Sequence, residues 1–261
     1  MIFLAHANGF PPETYAPVLE PLRQHFHVIA FRARPFWEDT PATWLKRWSQ
    51  MADDLLEGLV ELGDRPVVGL GHSLGGVLML YAAVRCPELF SRLVLIDPTM
   101  LAPKLLWEVR FLRLFGLEAR PQLVKGAFRR RTHWAGKEEA YRYFRERPLF
   151  KAWPDGTVRA YSEHMTGPAP QGGMRLIYPP EWEARIYQTI PTDVWAFAAR
   201  IPCPTLVIRG EDSTTFTGDS EKTFRKVLPS AQFRVIPGAG HLVAQEKPLE
   251  VGTAILDFLM E

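Results

Sequence analysis

A pentapeptide of the form Gly-x-Ser-x-Gly, Gly71-His72-Ser73-Leu74-Gly75, lies between a short β-branched run and a helix-forming stretch, and no other feature constrains the chain as much. Val67 to Leu70 reads as a buried strand, and Leu74 to Arg85 is apolar, rich in Leu and Ala, and stops before Cys86-Pro87. Ser73 is thereby predicted at a strand-to-helix corner. A turn that tight holds its central residue in a strained conformation, while small flanking residues let strand and helix approach and leave the hydroxyl protruding. The corner also sets the Leu74 N–H at a helix N-terminus, where unpaired amides and the helix dipole favour developing negative charge. Chance alone supplies such a pentapeptide in about one chain in ten of this length. Its weight comes from the strand before it, the helix after it and a histidine considered below.

Strand candidates recur at Ile2 to Ala5, Val28 to Phe31, Val67 to Leu70, Leu93 to Ile96, Thr205 to Arg209 and Phe233 to Ile236. Helical patterns separate them at Tyr15 to His25, Thr43 to Leu62, Leu74 to Arg85, Glu221 to Val227 and Leu249 to Met260. Alternation of this kind, with continuously apolar strands, predicts an α/β fold: a doubly wound, mainly parallel sheet covered on both faces. In such sheets catalytic groups collect at the carboxyl ends of the strands. From Thr99 to Arg200 no convincing strand is found, only helical pieces at Leu101 to Phe115, Lys137 to Arg147 and Glu181 to Thr189. The expected organisation is a core of residues 1–98 and 201–261 with an inserted helical cap at 99–200. Residues 168 to 173, Pro-Ala-Pro-Gln-Gly-Gly, read as a loop or hinge within it.

Charge divides along the same line. Residues 99–200 hold 17 Lys and Arg against 10 Asp and Glu, a net +7, which leaves the remainder at −5 although the whole chain is only +2. Five of the eight tryptophans, Trp107, Trp134, Trp153, Trp182 and Trp195, fall in the same stretch. An aromatic, basic lid over the site is one reading. Arginines on solvated helix faces and tryptophans packing a small cap explain the counts equally well.

The near-neutral total and the lack of a long block of like charge argue against a nucleic-acid partner. Cys86 and Cys203 are too few and too poorly placed for a disulfide framework, which fits a reducing compartment. No leader-like opening and no membrane-length apolar stretch are found, so a cytoplasmic location and no membrane span are expected.

A serine hydroxyl is a poor nucleophile until a base takes its proton, so a histidine must reach Ser73 and a carboxylate should orient it. Of seven histidines, His241 stands out, because Pro237-Gly238-Ala239-Gly240-His241 is a flexible loop just after the last strand and before the last helix. His72 adjoins the serine but should point away from it, and His25, His27, His133 and His164 have no comparable placement. No His and Cys set has zinc spacing, so no metal is indicated. A nucleotide-binding reading of Gly69-Leu70-Gly71 fails because Gly-x-Gly-x-x-Gly would need glycine at Leu74.

With these pieces in place the chain resembles an α/β-hydrolase. The matching segments are the elbow Gly71 to Gly76, the loop 238–241 followed by Glu246 and Pro248, and the opening His6-Ala7-Asn8-Gly9-Phe10-Pro11. The resemblance implies that Asn8-Gly9-Phe10-Pro11 is the oxyanion loop, with the Phe10 and Leu74 N–H groups as donors. It also implies a six-stranded, all-parallel sheet that lacks the family's antiparallel opening strands. The orienting acid, usually three residues after a glycine closing the penultimate strand, falls on Ser213 here. Asp97, which closes the strand Leu93 to Ile96, matches the alternative position in some relatives and is favoured, with Asp212 the alternative and Glu211 third. Asn8, His72, Trp107 and Leu242 are the candidate substrate-binding residues. The implied chemistry is cofactor-free hydrolysis of a small-molecule ester or acyl substrate, with the basic cap pointing to an acidic or phosphorylated one. Serine nucleophiles in this family also serve carbon–carbon bond hydrolysis, thioester hydrolysis and acyl transfer, and some relatives only sense ligands.

Overall fold

A computed structural model describes residues 1–37, 40–63, 65–117 and 121–261. Six strands form the main sheet: β1 (Ile2–Ala5), β2 (Val28–Phe31), β3 (Val67–His72), β4 (Phe90–Ile96), β8 (Thr205–Gly210) and β9 (Gln232–Ile236), in the spatial order β2-β1-β3-β4-β8-β9. Every neighbouring pair is parallel. Burial explains the sequence pattern. The inner strands β1 and β3 are buried at every position, whereas the edge strands β2 and β9 are largely part-exposed. Alternate side chains feed two cores. Phe3, Leu93, Leu95 and Val207 pack on one face with α2 (Ser49–Glu61) and α3 (Leu74–Arg85). Ile2, Leu4, Val94, Ile96, Leu206 and Ile208 pack on the other with α1 (Ala16–Arg23) and α12 (Pro248–Met260). Each fully buried Leu, Ile or Val contributes about 1.5–3 kcal/mol over leaving it exposed, so two apolar faces are what hold a parallel sheet.

The strand order reverses between β1 and β3, which opens a crevice at the carboxyl ends of those strands. Close packing there is possible only with glycine. A Cβ on Gly75 would lie 2.1 Å from the carbonyl oxygen of Ala5, so α3 presses directly onto the end of β1.

Two helices differ in extent from the expectation. The pattern over Thr43 to Leu62 splits into a 3-10 turn, Ala42–Trp44, and α2, because Gln50 Oε1 accepts the Lys46 and Arg47 amides at 2.7 and 3.0 Å and holds the chain out of helix there. α10 (Gly218–Val227) starts three residues before the expected Glu221, with the Thr217 hydroxyl accepting the Ser220 amide at its N-terminus. The short α11 (Val243–Glu246) precedes α12.

Between β4 and β8 run α4 (Pro103–Leu114), α5 (Pro121–Phe128), α6 (Lys137–Arg145), α7 (Asp155–Met165), α8 (Pro180–Gln188) and α9 (Val194–Ala198). This stretch is not purely helical, contrary to expectation. β5 (His133–Trp134), β6 (Thr166–Pro168) and β7 (Met174–Leu176) form a small antiparallel sheet in the order β5-β7-β6. Strands of two and three residues leave no period-two signal to read. Residues 169–173 turn the chain between β6 and β7, with the Ala169 amide donating to Gly173 O at 3.1 Å. Trp134, Trp153 and Trp182 are buried, and the Trp182 and Trp195 indoles donate to Thr40 and Leu101 carbonyls, so these tryptophans pack the stretch and tie it down. Cys86 and Cys203 are free thiols. Among the described residues no helix is long and apolar enough to cross a membrane.

Candidate active site

Ser73 sits where β3 meets α3 with φ 55° and ψ −113°, outside the regions an L-residue favours. Such a conformation costs on the order of 1–3 kcal/mol and persists only where its surroundings enforce it. Here the Ser73 amide donates to Ile96 O at 3.0 Å, and Ser73 O accepts from Thr99 N at 3.1 Å and Val77 N at 3.4 Å. The corner therefore points Ser73 Oγ at His241 Nε2, 2.8 Å away, with Thr99 Oγ1 at 3.0 Å.

The loop after β9 carries His241 to this position, and its Nδ1 lies 2.6 Å from Asp97 Oδ1. Asp97, just after β4, is fully buried and also has positive φ, 38°. Its carboxylate has two further donors. Ser213 Oγ–H donates to Oδ1 at 2.6 Å and the Gly210 amide to Oδ2 at 3.0 Å. With Asp97 ionised, His241 Nδ1 must carry the proton and Nε2 is left to accept from Ser73. Asp212 is exposed, and its bond here is a backbone one, to Ala239 O. Glu211 turns away to accept the Gly238 amide. Of the three acids, the fold brings Asp97 to His241.

His72 does not line the cavity. It is fully buried, its Nδ1 2.7 Å from Tyr15 Oη and its Nε2 3.0 Å from His241 O. Because the Ala7 amide donates to Tyr15 Oη at 3.0 Å, one line of bonds runs from the loop after β1 through Tyr15 and His72 to the His241 backbone. Its direction follows from the donors: Tyr15 O–H to Nδ1, and Nε2–H to the His241 carbonyl. Burial pushes the His72 pKa down to about 3, helped by the nearby His241, and burial pushes His6 down to about 4. Both are neutral in the native protein, but in the unfolded chain they take protons near the ordinary value of 6.5. Their contribution is therefore complete above pH 6.5 and is lost as pH falls toward those lowered values, by about 1.4 kcal/mol per histidine per pH unit. The melting temperature is expected to fall between about pH 6.5 and 5, and a flat profile across that range would contradict the neutral, buried assignment.

Trp107 also stands apart, 68% exposed on α4 and outside the cavity. Asn8 and Leu242 do line it. The cavity above Ser73 measures about 540 Å³ and is walled mainly by apolar and aromatic side chains, including Phe10, Phe144, Phe150, Ile186 and Ile190. Arg130 is part of the wall, but it is bonded to Glu183 and, at 2.7 Å, to Tyr161 Oη. The Leu74 amide opens α3, as expected. The Phe10 amide instead closes a turn onto Ala7 O at 3.2 Å, so it is already engaged. No group of three or more His, Cys, Asp or Glu able to hold a metal stands together among the described residues. Thr99, Ser213 and Tyr15 were beyond sequence reasoning, except that Ser213 occupies the position where relatives usually carry the acid.

Residues 2–254 match the model of the alpha/beta hydrolase family. The chain is 23% identical over 231 residues to the abhydrolase domain-containing protein ACTT2-1 of Alternaria alternata, covering 75% of this chain and 83% of that protein. It is 30% identical over 154 residues to the type I acyl-CoA thioesterase mpaH of Penicillium brevicompactum, covering 52% of this chain and 33% of that one. The structure of E-2-(acetamidomethylene)succinate hydrolase is similar over 100% of this chain and 91% of that one, with a TM-score of 0.82 at 21% identity.

Proposed function

The chain belongs to the alpha/beta hydrolase family, and from that premise we propose that it is a serine hydrolase that cleaves carboxylic esters through an acyl-enzyme. The observation that carries this reading is the line of bonds from Ser73 through His241 to Asp97, opening into an apolar cavity. Ser73 Oγ attacks the scissile carbonyl as its proton passes to His241 Nε2, and the imidazolium is held by Asp97. The tetrahedral oxyanion forms against the Leu74 amide. Phe10 N–H joins it only by sharing or leaving its bond to Ala7 O, so Leu74 carries the larger part. His241 then returns the proton to the departing alcohol, and water repeats the sequence on the acyl-enzyme. Residues 99–200 act as a cap on a core of 1–98 and 201–261, since Arg130, Phe144, Phe150 and Ile186 all wall the cavity over Ser73.

Substrate preference follows from where the cap's charge is spent. Arg130 is offset by Glu183, Arg131 by Glu139, and Arg113, Arg145 and Arg185 donate to backbone carbonyls. Among the described residues the cap brings two basic side chains to the cavity, Arg130, which is paired with Glu183, and Arg147, while the rest of the wall is mainly apolar, so a neutral, apolar acyl group fits better than the anionic one the sequence suggests. In a p-nitrophenyl ester series kcat/KM is expected to rise by up to about fourfold per added CH2 until the cavity fills, each buried CH2 being worth about 0.8 kcal/mol. Esters with a carboxylate at the acyl terminus should be at least about tenfold poorer than neutral ones of equal length. Equal or better turnover of the anionic esters would refute this preference, and no turnover of any ester would refute the esterase reading.

Thioester hydrolysis is the second reading. It is favoured by the likeness to the acyl-CoA thioesterase over half the chain and by Arg147, which lines the cavity, stacks on Tyr143 at 4.1 Å and has no ion pair among the described residues.

A further inference from the structure

Helix α4 turns an apolar side to water. Its buried residues are Leu106 and Val109. At roughly 100° per residue, Trp107, Phe111 and Leu114 fall on the opposite side, 68%, 62% and 80% exposed, and Phe115, capping the helix, is 62% exposed with its ring centre 4.8 Å from that of Phe111. A surface helix ordinarily hides one apolar stripe and shows a polar one, so a second apolar stripe facing outward marks a binding face.

The charges around the stripe select what it meets. Lys104 lies on the same side, Arg110 sits at its flank with the guanidinium 5.3 Å from the Trp107 ring centre and one nitrogen donating to Thr192 O at 2.8 Å, which leaves its charge unpaired by any acid among the described residues, and Glu108 is the only acid on the helix. A two-fold pairing of this face with a second copy would bring Lys104 and Arg110 of both chains together with too few acids to offset them. An anionic phospholipid surface supplies the opposite charge and an apolar layer beneath it, and Trp, Phe and Leu beside Lys and Arg is the composition that such an interface favours. Further along the chain, Leu123 of α5 and Leu149, both exposed, line the cavity.

We propose that α4 docks the protein on anionic phospholipid, with Trp107, Phe111, Leu114 and Phe115 entering the interfacial layer and Lys104 and Arg110 meeting headgroup phosphates. Attachment is peripheral, since α4 is far too short to span a bilayer. The inference does not depend on which acyl bond the site cleaves.

Co-sedimentation of the full chain with vesicles tests it. With phosphatidylcholine vesicles containing about 30% phosphatidylglycerol, binding should be at least about tenfold tighter than to phosphatidylcholine alone, and should weaken as salt rises from about 50 to 500 mM. The triple variant Phe111→Ser, Leu114→Ser, Phe115→Ser should lose at least about tenfold in binding while keeping its melting temperature and its activity on soluble substrate, because these side chains support neither core nor cavity. The pair Lys104→Glu, Arg110→Glu should abolish the preference for the anionic vesicles. No sedimentation with either vesicle overturns the proposal. So does concentration-dependent dimerisation in analytical ultracentrifugation that the triple variant removes, which would assign the face to a second copy.

Discussion

Replacing Ser73 by alanine is expected to lower kcat by about 10⁵ to 10⁶, the loss seen when a hydroxyl nucleophile is removed from a unit of three cooperating side chains. The size follows from the loss of the acyl-enzyme route altogether: His241 and Asp97 remain, but nothing is left for them to activate, and only the oxyanion cradle and substrate binding still contribute. The change is also a clean one. Among the described residues Ser73 Oγ is hydrogen-bonded to Thr99 and His241 alone, and alanine meets the same steric demand at φ 55° as serine, so the corner's strain is unaltered. Melting temperature should therefore move little while turnover vanishes. Steady-state assays of parent and variant on the best ester of the series decide it, and retention of more than about 1% of parent activity would remove Ser73 from the nucleophile's role. The same experiment separates hydrolase from ligand sensor, because a sensor would show parent turnover already near the level of the variant.

How much of this was legible in the sequence depends on how local the determinants are. The six strands of the main sheet stand where short apolar, β-branched runs placed them, because burial on both faces writes itself as an unbroken apolar string. Ser73 and His241 could be singled out for a similar reason: a strand-to-helix corner and a glycine-rich loop after the last strand are each spelled out by neighbours in the chain. The small sheet β5-β7-β6 could not, since its pairs lie tens of residues apart and its strands are too short to alternate. Orientation was equally hidden. His72 beside the serine and Trp107 in an aromatic-rich segment invite a binding role by composition, yet one turns inward to Tyr15 and the other outward to water. The resemblance in loop sequence points to the Phe10 amide as an oxyanion donor, and its turn bond to Ala7 O is visible only in three dimensions.

Asp97→Asn should lower kcat by about 10³ to 10⁴ and leave KM nearly unchanged, whereas Asp212→Asn should change either parameter by less than about twofold. Three donors converge on the Asp97 carboxylate: Gly210 N–H on one oxygen, and Ser213 O–H and His241 Nδ1–H on the other. An ionised carboxylate accepts all three, but an amide has one acceptor oxygen and one NH2 that can only donate. If the amide oxygen faces Ser213 and His241, the NH2 meets the Gly210 N–H head-on. If the amide flips, its NH2 faces His241 and favours the tautomer with Nδ1 bare and Nε2 protonated, which cannot accept from Ser73. Either arrangement removes the base or its support, and the imidazolium formed during attack loses its counter-charge. Ser213 fits the proposed acid after β4: at the position where the family pattern leads to an acid, this chain places a hydroxyl that donates to Asp97. A second carboxylate there would set two like charges within hydrogen-bonding distance in a buried site. Parallel kcat and KM measurements on Asp97→Asn and Asp212→Asn, with melting temperatures to confirm both fold, discriminate between the two acids. A large loss in the Asp212 variant with Asp97→Asn nearly silent would move the acid to the other strand and require the loop at 211–213 to close over His241.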